Sequence, residues 1–83
     1  MAIIILMTNK EMAQKINALR KGANLTQENF GKEVIHVSQA TASKKLNGQI
    51  PFSAEEIFEC AERFNVSTEY LYGREKENAL APV

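Results

Sequence analysis

The side chains best suited to recognition chemistry lie in one run, Gln39-Ala40-Thr41-Ala42-Ser43-Lys44-Lys45. A glutamine amide donates and accepts at once, which matches the N6 and N7 groups of adenine. A lysine reaches the acceptors of guanine, an alanine methyl meets a thymine methyl, and a serine hydroxyl bonds to base or phosphate. Ala40 and Lys44 are four residues apart and share one face of a helix, with Ser43 between them in projection. Side chains of these types are suited to binding a duplex rather than to breaking bonds. The chain has one histidine, His36, and one cysteine, Cys60. A metal site wants three or four clustered ligands. A Cys–His nucleophile pair would need a core-facing helix residue to meet a turn residue. There is no phosphate-cradling glycine loop. Glu55, Glu56, Glu59 and Glu62 lack the glycine and spacing of a calcium loop and read as a solvated helix face. The expectation is a protein that is not an enzyme, with no metal, no cofactor and no small-molecule ligand.

The elements that must position this run are legible from caps and periodicity. Leu25-Thr26-Gln27-Glu28-Asn29-Phe30-Gly31-Lys32-Glu33-Val34 reads as a helix capped by Thr26, with Leu25 and Phe30 as a hydrophobic staple. Gly31 is small where a neighbouring helix must come close. Val37-Ser38 opens a second helix capped by Ser38, on which Ala42 and Leu46 point inward and Asn47-Gly48 ends the run. Two short helices joined by a tight turn, the second carrying small polar side chains and two lysines on its outer face, are the pattern of a helix-turn-helix whose second helix lies in a DNA major groove.

Three more helices complete the expected domain. Thr8 and Glu11 form a capping box for a first helix from about Asn9, with Met12, Ala13, Ile16 and Leu19 on one face and Gly22 as its left-handed stop. Ser53 and Glu56 form a second capping box, with Phe52 and Ile57 as a staple. That helix buries Ile57, Ala61 and Phe64, with Phe58 or Cys60 alongside. A last helix spans Thr68 to Tyr72, where Tyr70 and Leu71 close the core and Gly73 ends the helix.

Charge is distributed unevenly. The net charge is zero, yet residues 1–48 hold seven basic and three acidic residues, a net +4, and residues 49–83 hold three basic and seven acidic, a net −4. The basic half is the half with the helix-turn-helix, where a phosphate backbone would feel it first. One cysteine allows no intramolecular disulfide, which fits a reducing compartment.

Leu-Thr-Gln-Glu, followed by Val-Ser-Gln-x-Thr and a terminal Asn-Gly, resembles the lambda-repressor-like helix-turn-helix family of phage repressors and Cro proteins. The resemblance covers about residues 9–73. It implies an all-α, five-helix fold and a transcriptional repressor of bacteriophage type. With no second domain in 83 residues, the chain looks like a Cro protein or a compact repressor. The resemblance carries base reading onto Gln39, Ala40, Ser43 and Lys44, and a phosphate contact onto Gln27. Thr41, Lys45, Asn47, Gln49, Arg20 and Lys21 are further candidates for the DNA backbone, with Thr41 equally able to bond locally at the helix start. One departure stands out. Where the family has a single glycine before the Val-Ser pair, this chain has Ile35-His36, so the turn is one residue longer. His36 is then the candidate for the left-handed residue.

Residues 1–7 form a strand or arm in this reading, residues 8–73 the DNA-binding domain and residues 74–83 a flexible tail. Ile3-Ile4-Ile5-Leu6 has strand character, but an all-helical domain offers it no sheet. Three readings stay open: pairing with the same strand of a second copy across a two-fold axis, an extended arm over the helices, or a disordered leader. The first gives a homodimer on a palindromic operator. Alternatives for the whole chain are an antitoxin-type regulator or a protein-interaction domain of the same fold. The apolar start is far shorter than the roughly 20 residues of a membrane span and lacks the flanks of a signal peptide, so the expected location is the cytoplasm.

Overall fold

The computed structural model describes residues 9–73. They form α1 (Asn9–Gly22), α2 (Gln27–Phe30), a π turn (Gly31–Ile35) that continues α2, α3 (Gln39–Leu46), α4 (Ala54–Phe64) and α5 (Thr68–Leu71). The strand or arm expected over residues 1–7, the Thr8 cap and the tail over residues 74–83 lie outside the described residues. No strand occurs among the described ones.

Hydroxyl caps start four of the helices. Thr26, Ser38, Ser53 and Ser67 each accept a backbone N–H from the third residue beyond, and Ser53 with Glu56 completes a reciprocal capping box. Left-handed residues end the helices. Asn65 closes α4, Gly48 follows α3 and Gly73 follows α5. The end of α1 differs from the sequence expectation. Gly22 is still helical, and the left-handed residue is Asn24 (φ 59°). Leu25 and Asn24 donate to the carbonyls of Arg20 and Lys21, the paired bonds of a Schellman motif.

The extra residue between the two helices of the motif is absorbed before the turn. The backbone N–H of His36 bonds to the Gly31 carbonyl, five residues back, and Val37 donates to the same oxygen at 2.8 Å. A π turn holds one more residue than an α turn. The added residue widens the helix, and Ile35 enters the core at 4% exposure. His36 then takes φ 58°, ψ 48°, the left-handed conformation expected of it. For a residue with a Cβ this conformation costs ~1–2 kcal/mol. His36→Gly relieves that strain and loses part of the gain to the freer unfolded chain, for a net stabilisation of roughly 0.5–1 kcal/mol. A thermal melt should rise by a few degrees; a lower melting point would mean that the imidazole stabilises the turn.

Phe30 is the centre of the core. It is fully buried, edge-on to Phe52 at 6.4 Å and stacked on Phe64 at 6.2 Å. Met12, Ala13 and Ile16 of α1, Val34, Ala42 and Leu46 of the motif, Ile57, Cys60 and Ala61 of α4, and Leu71 of α5 complete it. Of the two α4 alternatives, Cys60 is buried and Phe58 is exposed. Lys15 joins α1 to α5, its ammonium 4.0 Å from the Tyr70 ring centre and donating to the Tyr70 carbonyl at 3.2 Å.

Candidate nucleic-acid interface

α3 is held from one side only. Ala42, Lys45 and Leu46 are buried, whereas Gln39, Ala40, Lys44 and Asn47 are exposed and Ser43 is half-buried. The four residues expected to read bases therefore share the outer face of one helix that carries no acidic residue. Ser38 fixes the helix start. Its Oγ accepts the Thr41 N–H at 3.3 Å, and its hydroxyl donates to Thr41 Oγ1 at 3.2 Å. Thr41 thus makes the local bond at the helix start, one of the two roles open to it. α3 is pinned at its middle as well, because Ala42 lies directly over Gly31.

Two of the expected backbone contacts are used inside the molecule. Lys45 is 8% exposed, and its ammonium binds Oε1 of Glu56. That oxygen also accepts the Ser53 N–H at 2.9 Å. The expectation of two outward lysines on α3 is corrected: position 45 falls on the helix face turned to α4, three residues after Ala42 and next to Leu46. Arg20 is likewise engaged. Its Nε donates to Asn17 Oδ1 at 2.8 Å and its guanidinium donates to the Leu25 carbonyl at 2.6 Å, bracing the exit of α1. The remaining candidates are placed at the surface. Lys21, Asn47 and Gln49 are exposed, and Gln27 is half-buried as the first residue of α2.

Sequence reasoning passed over Lys32 and His36. Both line an open cavity of about 390 Å³ with Glu28, Val37, Ser38 and Gln39. The signal was the spacing of Glu28 and Lys32, four residues apart as on one helical face, with His36 in the turn that follows.

Cys60 has no exposed surface. Burial pushes its thiol up to about 12, with the carboxylates of Glu56 and Glu59 adding to the rise. The folded state thus favours the protonated thiol. The stability tied to this group is complete below pH 9 and is lost as pH rises from there towards 12. Alkylation of Cys60 by iodoacetamide at pH 8 should proceed only as fast as the protein opens; a rate equal to that of a free thiol would contradict the burial. Among the described residues no three potential metal ligands cluster, and no helix is long and apolar enough to cross a membrane.

With two short helices, a cap at each start and a bare outer face on the second, the geometry is that of a helix-turn-helix. A family model for the BetR domain matches residues 5–83. The chain belongs to the BetR domain family. This is a small family of helix-turn-helix type that binds DNA, and it indicates a DNA-binding regulatory role for the chain. No curated protein and no solved structure matches this BetR domain.

Proposed function

We propose that this BetR domain is a sequence-specific repressor, similar in action to Cro, that occludes a promoter by laying α3 in the major groove of its operator. One observation carries the reading: α3 has an outer face of Gln39, Ala40, Ser43 and Lys44, with no acidic residue, on a helix anchored from behind by Ala42, Lys45 and Leu46. Gln39 is suited to adenine, Ala40 to a thymine methyl and Lys44 to guanine, while Ser43 reaches a base or a phosphate. Gln27, Lys21, Asn47 and Gln49 flank the helix and bind phosphates.

A single module of this kind covers only roughly 600–1,000 Å² of DNA-facing surface. Tight binding therefore calls for two copies. A two-fold homodimer would set two recognition helices about 34 Å apart on a palindromic operator. Ile3, Ile4, Ile5 and Leu6 are the proposed dimer contact.

Selection of bound duplexes from a random pool tests the reading. Inverted half-sites one helical turn apart support a two-fold dimer, and Lys44→Ala should relax preference at one base pair by ~1–3 kcal/mol. Sedimentation of the full chain beside a version lacking residues 1–6, with and without the selected duplex, tests the dimer contact. No enriched sequence and no salt-dependent binding would overturn the reading.

A further inference from the structure

The cavity beside Gln39 adjoins the recognition face and shares only that residue with it. Its walls are Glu28 and Lys32 from α2 and the π turn, His36 and Val37 from the turn, and Ser38 and Gln39 from the start of α3. Three features define its chemistry. First, a lysine and a histidine, both exposed, line it. Second, the obvious internal partner for that lysine is not engaged. Glu28 lies four residues before Lys32, the spacing of a helical ion pair. Ion pairs do form elsewhere, between Lys45 and Glu56 and between Arg63 and Glu33, the latter at 3.7 Å between α4 and the π turn. Third, the left-handed backbone that places His36 here is strained and is not replaced by glycine.

We propose that Lys32 and His36 form a phosphate clamp that holds the DNA backbone next to the base contacted by Gln39. The proposal rests on the DNA-reading role of α3. A backbone phosphate beside that base is the anion that meets this cavity when α3 enters the groove. Lys32 supplies a point charge and His36 a ring N–H donor. Glu28 on the same wall opposes the anion, so it weakens binding and keeps the cavity selective for a phosphate presented at the right place.

The consequence is a contact that is blind to sequence and sensitive to salt. Neutralising one phosphate contributes a slope of about −0.9 to the dependence of log affinity on log salt. Lys32→Gln should therefore flatten the slope by about 0.9. Across a fourfold rise in salt the parent then loses roughly 3.5-fold more affinity than the variant. Lys32→Arg should restore the parent slope. Glu28→Gln should tighten binding. His36→Gly should bind more weakly although it folds more stably, a combination that loss of structure does not produce.

The probe is a fluorescent duplex of mixed sequence, about two helical turns long, titrated at several salt concentrations with the full chain and each variant. Lys44→Ala serves as the comparison, since its loss should change base preference on selected duplexes. The expected result is a steep parent slope flattened in Lys32→Gln and kept in Lys32→Arg. A steep parent slope unchanged in Lys32→Gln overturns the clamp and leaves the recognition reading standing. A parent that binds no duplex overturns both.

Discussion

Gly31→Ala is expected to destabilise the domain and shift its recognition helix. Gly31 has ordinary helical angles (φ −60°, ψ −45°). On propensity alone alanine should stabilise this position by ~1 kcal/mol. Packing opposes that gain. A Cβ here would lie 2.9 Å from the Val37 carbonyl oxygen, 3.0 Å from the Ala42 Cβ and 3.3 Å from the Ser38 carbonyl oxygen. None of these atoms ends a flexible side chain. The Ser38 carbonyl accepts the Ala42 N–H in the first turn of α3, so it moves only with α3. Overpacking of this kind costs about 1–3 kcal/mol. Set against the propensity gain, the net loss is up to roughly 2 kcal/mol, with each kcal/mol lowering the melting temperature by about 4–8 °C in a domain of this size. DNA affinity should fall further than stability alone requires, because the relief is a displacement of α3. A melting temperature at or above the parent's would mean that the carbonyls yield and that Gly31 is not the hinge of the motif.

That residue shows how much of the molecule is legible in its sequence. The need for a small side chain at Gly31, the hydroxyl caps at Thr26, Ser38 and Ser53 and the inward set Ala42, Leu46, Ile57 and Ala61 follow from local rules. Capping and helical spacing are properties of a few neighbouring residues, and packing does not override them here. His36 as the left-handed residue was also legible, since one residue had to reverse the chain between two fixed caps. The π turn was not. An extra residue can lengthen a loop or widen a helix, and the choice depends on whether Ile35 finds a place in the core, a tertiary fact. Asn24 in place of Gly22 has the same origin. Both residues tolerate a reversal, and the bonds from Asn24 and Leu25 back to α1 select the later one. Within the candidate site, Gln39, Ala40 and Lys44 were readable because exposure follows the face of the helix. Lys45 was misread as outward, and the internal partners of Arg20 went unseen, because composition records a charge without recording its partner.

Lys45 is where that misreading has the largest consequence. Lys45→Ala is expected to lower stability by about 2–3 kcal/mol. Breaking a buried ion pair typically costs ~3–5 kcal/mol, because the remaining charge is stranded. Here the side chains of Lys45 and Glu56 keep 11% and 13% exposure, and Glu56 retains the Ser53 N–H. Both reduce the penalty to the low end of that range or just below it. The pair ties α3 to the start of α4, and the Lys45 ammonium lies 6.0 Å from the Phe52 ring centre, so the lost methylenes also leave apolar surface uncovered. A double-mutant cycle separates the parts. Lys45→Met with Glu56→Gln removes both charges, preserves the stem and an acceptor for the Ser53 N–H, and should recover most of the loss. The salt dependence of DNA binding gives the functional half of the test. A lysine that positions α3 through Glu56 leaves the slope unchanged when removed, while affinity falls because the helix is less firmly held. A lysine that leaves Glu56 for a phosphate flattens the slope by about 0.9 with little change in melting temperature. The geometry predicts the first outcome, and the second would return Lys45 to the DNA face.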